Sequence, residues 1–106
     1  MRIAALYHAL ATLAPSPVVD LNRAVAVAMA FGPARGLEIV EGLADEPALK
    51  AYHLLPSVRG DLLSRLGRWE EAAAEFERAA GMTKNERERT LLRGRAEEAR
   101  GKLAPG

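Results

Sequence analysis

The stretch Leu66-Gly67-Arg68-Trp69-Glu70-Glu71-Ala72-Ala73-Ala74-Glu75-Phe76-Glu77-Arg78-Ala79 decides how the rest of the chain reads. Gly67 closes one helix, a second helix with Trp69 at its head runs over 69–80, and Gly81 ends it. Shifting the sequence by 36 residues places Arg23-Ala24 on Arg59-Gly60, Val27 on Leu63, Gly36 on Ala72, Val40 on Phe76, and Leu43-Ala44 on Ala79-Ala80. A similar small or large residue recurs at each place. That is required when one helix approaches its neighbour at a small residue and a large one fills the remaining space. The chain therefore reads as two helix-turn-helix units, unit one over 17–44 and unit two over 48–81.

Punctuation on either side agrees. Ser16 caps a helix whose first turn holds Pro17, and Gly32-Pro33 ends that helix and starts another, which continues to Ala44. After Asp45-Glu46-Pro47 a helix over 48–66 is expected, with Pro56 either near its start or kinking it. Asn85, with Glu88 three residues on, makes a capping box for a last helix over 85–101 that caps the array, and the tail from Leu103 to Gly106 frays. Before unit one, Ile3, Leu6, Tyr7, Leu10 and Leu13 form one helical stripe, stopped by Pro15 and Pro17. Tyr7, Leu10 and Ala11 match Val40, Leu43 and Ala44 at a spacing of 33, so 2–14 reads as a half unit. A chain that opens on the second helix of a pair is expected to be a fragment of something longer. The expected fold is all-α, an antiparallel array of about six helices, because loops this short turn each helix back on its neighbour.

Composition agrees and excludes several functions. The 106 residues hold 21 Ala and 15 Leu against 6 Val and 2 Ile, a balance that favours helix over strand. With no Cys there is neither a disulfide framework nor a thiolate zinc site, which fits a reducing, cytoplasmic setting. A net charge of +1 lacks the basic excess of nucleic-acid-binding domains. The longest apolar run, 24–31, is far short of a membrane span, and His8 and Thr12 interrupt the N-terminal stretch that superficially resembles a secretory signal. His8 and His53 have no neighbouring ligands at metal-binding spacing, and neither a nucleophile-base arrangement nor a phosphate loop can be read. No catalytic residue, metal or cofactor is expected, and the protein reads as a non-enzyme.

The Gly67-to-Ala79 segment resembles the tetratricopeptide repeat, with Gly and an aromatic at the turn, then the small residue, Phe and Ala at their expected spacing. Pro56, Arg59 and Lys84 depart from that pattern, and unit one matches it more weakly through Ala24, Gly36 and Val40. The resemblance implies a right-handed superhelix of paired helices. A second resemblance covers nearly the whole chain. Leu6-Tyr7, Ser16-Pro17-Val18-Val19, Leu21-Asn22-Arg23-Ala24-Val25-Ala26-Val27-Ala28, Gly32-Pro33, Gly36-Leu37, Tyr52-His53, Arg59, Leu62-Leu63, Leu66-Gly67-Arg68, Glu71-Ala72 and 85–89 (Asn-Glu-Arg-Glu-Arg) look like the C-terminal extension of a group of bacterial extracytoplasmic-function sigma factors. This implies a parent protein that directs RNA polymerase to promoters. The present segment would regulate or support that activity through contacts with its own sigma domains, RNA polymerase or a regulator, without itself binding promoter DNA. A free-standing tetratricopeptide-like adaptor that binds a peptide in its groove is the alternative.

In tetratricopeptide arrays the first helix of each unit lines a concave groove. Carried over by position, the resemblance assigns Val18, Leu21, Val25, Ala28 and Met29 in unit one, and Leu54, Ser57, Asp61, Ser64 and Arg65 in unit two. The apolar half, with Met29 adaptable, and the polar half, with Asp61 and Arg65 setting orientation, suit a partner's helix or extended segment. The alternative is that 2–14 or another copy of the chain, as a homodimer, covers the apolar half. Arg23 and Arg59 take equivalent places where the repeat carries Leu. With Asn22 they form either a polar platform for an acidic partner or intramolecular brackets, with Asp20, Glu41 and Asp61 or helix C-terminal carbonyls as candidate acceptors; brackets are the favoured reading. On the last helix Arg89, Arg93 and Arg100 form a stripe beside Leu92, Ala96, Ala99 and Leu103, with Glu86 and Glu97 within reach and no aromatic interleaved to stack bases.

Overall fold

A computed structural model of the chain describes residues 17–103. The described residues are all-α, with no strand among them: α1 Pro17–Phe31, α2 Pro33–Gly42, a 3-10 turn Pro47–Leu49, α3 Leu54–Arg65, α4 Trp69–Met82 and α5 Glu86–Leu103. They belong to two compact units that divide between Lys50 and Ala51. The expected half unit over 2–14, its 33-residue echo, the Ser16 cap and His8 lie outside the described residues.

In the first unit the chain doubles back at Gly32, whose φ of 103° is open to glycine and strained for other residues. Pro33 follows in the first turn of α2, where a missing N–H is no loss. The two helices meet at Gly36. A Cβ there would sit 2.6 Å from the Ala28 Cβ and 2.7 Å from the Ala24 carbonyl oxygen, so only a bare Cα permits this approach. Leu21, Ala24 and Ala28 share one face of α1, and with Leu37 and Val40 of α2 they are buried.

The 3-10 turn packs against α1 and buries Leu49. This revises the expected helix over 48–66. Its first residues belong to the first unit, and the helix proper begins at Leu54. Proline explains the shift. Pro56 has no N–H and its ring would strike the carbonyl of residue 52 in a continuous helix, so a helix can hold it only in the first turn. Of the two options for Pro56, the start is the observed one.

In the second unit α3 ends in a Schellman motif. The Arg68 N–H donates to the Leu63 carbonyl at 2.9 Å and the Gly67 N–H to the Ser64 carbonyl at 3.0 Å, around Gly67 at φ 76°. The chain turns back into α4, where the Phe76 ring lies on Gly60: a Cβ on Gly60 would meet the ring at 2.9 Å. Helix α5 is antiparallel to α4, since Arg89 reaches Ala80, Arg95 reaches Phe76 and Lys102 reaches Trp69. Buried Ala72, Ala73, Phe76, Ala79 and Ala80 of α4 and Leu92, Ala96 and Ala99 of α5 form the core with Leu62 and Leu63.

Burial at positions 36 apart largely corresponds. Ala24 and Gly60, Gly36 and Ala72, Leu37 and Ala73, Val40 and Phe76, and Leu43 and Ala79 are all buried. Val27 and Ala44 depart, being half-buried and exposed where Leu63 and Ala80 are buried.

The capping box at α5 forms by half. The Glu88 N–H donates to Asn85 Oδ1 at 3.0 Å, but the Glu88 carboxylate does not return to the Asn85 N–H, which donates to Thr83 Oγ1 instead. Glu88 Oε2 lies 2.7 Å from His53 Nε2, and Oε1 accepts from the Thr83 hydroxyl at 3.4 Å. His53, at the N-cap of α3, thereby ties the start of α3 to the start of α5.

Candidate functional site

On α1 the residues assigned to a groove separate. Val18, Val25 and Met29 fall on one exposed stripe with Asn22, and Met29 is 71% exposed. Leu21 does not join them. It lies three and seven residues before Ala24 and Ala28, on the stripe that faces α2, and is 3% exposed, which removes it from any open surface. Ala28 is buried for the same reason. Phe31, at the end of α1, adds a further exposed apolar side chain.

In the second unit Leu54 is exposed and Ser57 half-buried, whereas Asp61, Ser64 and Arg65 line a cleft of about 460 Å³. Trp69 and Phe76 of α4 contribute aromatic surface to it, and Arg95, Glu98, Ala99 and Lys102 of α5 form the facing wall. The Arg65 Nε lies 3.1 Å from the Asp61 carboxylate, and Arg95 reaches the same carboxylate at 4.0 Å. Two cations sit over aromatic faces: the Arg95 guanidinium is 5.9 Å from the Phe76 ring centre, and the Lys102 ammonium 6.0 Å from that of Trp69. Sequence reasoning found the α3 wall and missed the α5 wall. The available signal was Arg95, Glu98, Ala99 and Lys102 recurring at helical spacing beside the apolar Leu92 and Ala96 face.

The two equivalent arginines have different surroundings. Arg59 is a bracket: its guanidinium lies 3.5 Å from Glu75 and 3.9 Å from Glu71, joining α3 to α4. Asp61, expected among its acceptors, serves Arg65 and Arg95 instead. Glu75 is 8% exposed and also lies 3.7 Å from Arg78, so a buried carboxylate is flanked by two guanidinium groups. Among the described residues Arg23 reaches only along its own helix, 3.9 Å to Asp20, and its Nε is buried without a hydrogen bond there. Asn22 beside it is exposed.

Of the stripe on the last helix, Arg89 is tied down by Glu86 at 2.7 Å and by the Thr83 carbonyl at 2.8 Å, and Arg100 lies 3.6 Å from Glu77 of α4. At the turn before α4, Arg68 donates twice to Glu71, at 2.8 and 2.7 Å. That fork holds the Glu71 carboxyl below its usual range, against a smaller opposing effect of desolvation. No group of three or more His, Cys, Asp or Glu among the described residues is placed to hold a metal ion, and none of their helices is long and apolar enough to cross a membrane.

No protein-family model matches the chain, and no solved structure does. The chain is similar to an uncharacterised protein of Rhizobium meliloti (strain 1021), with 46% identity over 88 residues, covering 83% of this chain and 20% of that protein. The chain thus spans about a fifth of the length of this relative.

Proposed function

We propose that this segment is a non-catalytic protein-interaction and regulatory domain of an extracytoplasmic-function sigma factor, a tetratricopeptide-like array acting in the cytoplasm. It supports transcription initiation by touching its own sigma domains, RNA polymerase or a regulator. The observation that carries the reading is the run Ser-Pro-Val-Val-x-Leu-Asn-Arg-Ala-Val-Ala over 16–26, which resembles that group. Two further observations support it. Each unit contains a helix pair meeting at a small residue, Gly36 in one and Gly60 in the other, as paired-helix repeats require. The relative from Rhizobium meliloti is several times longer than this chain, which suits a module within a larger polypeptide.

The test is to express the full reading frame that contains this segment, intact and with the segment deleted, and to measure RNA polymerase retained on the tagged protein together with transcription from its promoter. Loss of either on deletion supports the proposal. Unchanged retention and transcription, or an upstream sequence without polymerase-binding and helix-turn-helix segments, overturns it in favour of a free-standing adaptor.

A further inference from the structure

We propose that Thr90 is a phosphorylation site for an arginine-directed serine/threonine kinase, and that Arg87 and Arg93, one helical turn to either side of it, hold the phosphate once it is attached. The inference goes beyond the interaction reading above and does not rest on it.

Exposure selects the residue. Among the described serines, threonines and tyrosines, Thr90 alone is exposed; Tyr52, Ser57 and Ser64 are half-buried and Thr83 is buried. Its hydroxyl makes no hydrogen bond among the described residues. Charge then selects the modification. Every described arginine except Arg87 and Arg93 lies within 4.0 Å of a carboxylate. These two are exposed and have no carboxylate partner among the described residues. Three residues before and after Thr90, they stand about 60° to either side of it on α5, with Cβ separations of about 5–6 Å. An uncharged hydroxyl gains nothing from two unpaired cations, whereas a phosphate of charge about −2 takes a charge-assisted hydrogen bond from each guanidinium. Glu86, four residues before Thr90, opposes a phosphate, but its carboxylate is already engaged by Arg89 at 2.7 Å. The local sequence suits the enzyme too. Arg87 and Arg89 stand three residues and one residue before the acceptor, a cationic pattern that a kinase reads through complementary charge. A kinase takes its substrate extended, and the backbone at Thr83 is already extended, with α5 beginning at Glu86. Fraying of the first turn of α5 therefore presents Thr90. In the transfer the Thr90 Oγ1–H bond breaks and its proton passes to a base of the kinase, while Oγ1 bonds to the γ-phosphorus of a nucleoside triphosphate. The bond from that phosphorus to the β–γ bridging oxygen breaks, and the nucleoside diphosphate leaves with the electron pair.

The experiment incubates the full chain with an arginine-directed serine/threonine kinase, magnesium and ATP, beside a free peptide of residues 84–94, and maps the phosphate by mass spectrometry. The expected result is a single phosphate on Thr90, kept in Thr90→Ser and absent from Thr90→Ala. Arg87→Gln slows incorporation about ten-fold, and Asn85→Ala, which removes the acceptor of the Glu88 N–H, speeds it about five-fold by loosening the first turn. Phosphorus NMR of the phosphorylated chain then reads the arginines. The phosphate titrates at lower pH in the parent than in Arg93→Gln, because a nearby cation favours the dianion. The substituted side chains are exposed, and retained helicity by circular dichroism confirms that each variant folds. No phosphate on Thr90 of the intact chain, whether or not the peptide accepts one, overturns the proposal. So does a rate indifferent to Arg87→Gln, or a titration midpoint that Arg93→Gln leaves unchanged. Polymerase retention is scored separately on unphosphorylated protein. Retention that depends on the segment while Thr90 stays unmodified sinks the phosphorylation proposal and leaves the function standing, and the reverse pattern does the opposite.

Discussion

The described parts of the two units hold their helices together by different means. In the first, α1 and α2 meet through a bare glycine against two alanines, and the ion pairs of Asp20 with Arg23 and Arg35 with Glu38 each stay within one helix. In the second, an aromatic ring rests on glycine and ion pairs cross between helices: His53 with Glu88, Arg59 with Glu75, Asp61 with Arg95, and Glu77 with Arg100. The same spacing of small and large residues thus supports two kinds of joint. One depends on contact distance, the other on ring volume reinforced by charge.

The largest expected effect breaks the comparison at its large residues. Phe76→Ala should cost about 3–5 kcal/mol, because it empties the space over Gly60, whereas Val40→Ala should cost about 2 kcal/mol, since fewer carbons leave. Urea denaturation of the two variants measures the difference, and equal losses would show that the second unit does not depend on its ring.

Next come the small residues. Gly36→Ala should destabilise by about 3 kcal/mol despite alanine's better helix propensity, because one obstructing atom is a backbone carbonyl oxygen that cannot step aside. Gly60→Ala meets a ring that can tilt, and about 1–2 kcal/mol is expected. A Gly36→Ala variant as stable as the parent would refute the close approach of α1 and α2.

The arginines sharpen the comparison further. Arg59→Met leaves the buried Glu75 with Arg78 as its remaining cationic partner among the described residues and should cost about 2 kcal/mol. Arg23→Met should lie within about 0.5 kcal/mol of neutral, since it gives up a 3.9 Å contact to a partly exposed Asp20 and relieves a buried Nε that has no hydrogen bond among the described residues. A large loss at Arg23 would restore the equivalence that the sequence alone suggested.

The smallest effect concerns acidity. Because the fork from Arg68 lowers the folded-state pKa of Glu71, the pair stabilises the fold above the ordinary carboxylate range, and this contribution is lost as pH falls through the lowered value. Side-chain NMR titration of Arg68→Ala should show the Glu71 carboxyl returning upward. Because both side chains are exposed, the accompanying change in stability is slight.

Much of the helical layout was legible because its signals are local. Gly32-Pro33, Gly67 and the onset at Trp69 act through backbone geometry that a few residues fix. The expected helix over 48–66 overruns the observed one at 48–53 because Ala48, Leu49, Lys50 and Ala51 have good helix propensity, while burial of Leu49 against α1 and the block at Pro56 outweigh it. For the candidate site, Asp61 and Arg65 were legible as groove positions that the tetratricopeptide resemblance assigns, but the α5 wall was not, since which helix faces which depends on rotation about each axis.

By itself the sequence determined an all-helical chain, its turns, and the small residues at which helices could approach. Those properties follow from φ preferences, helical periodicity and side-chain size, each confined to one or two turns. Only the tertiary structure decided that Leu21 is buried, that Arg59 and Arg23 differ in their partners, that Glu88 turns from its own cap to His53, and that Arg95 and Lys102 stand over aromatic rings. Each of those outcomes is set by groups far apart in the chain competing for the same space or the same charge. The result depends on their distance in the folded state, which no local signal carries.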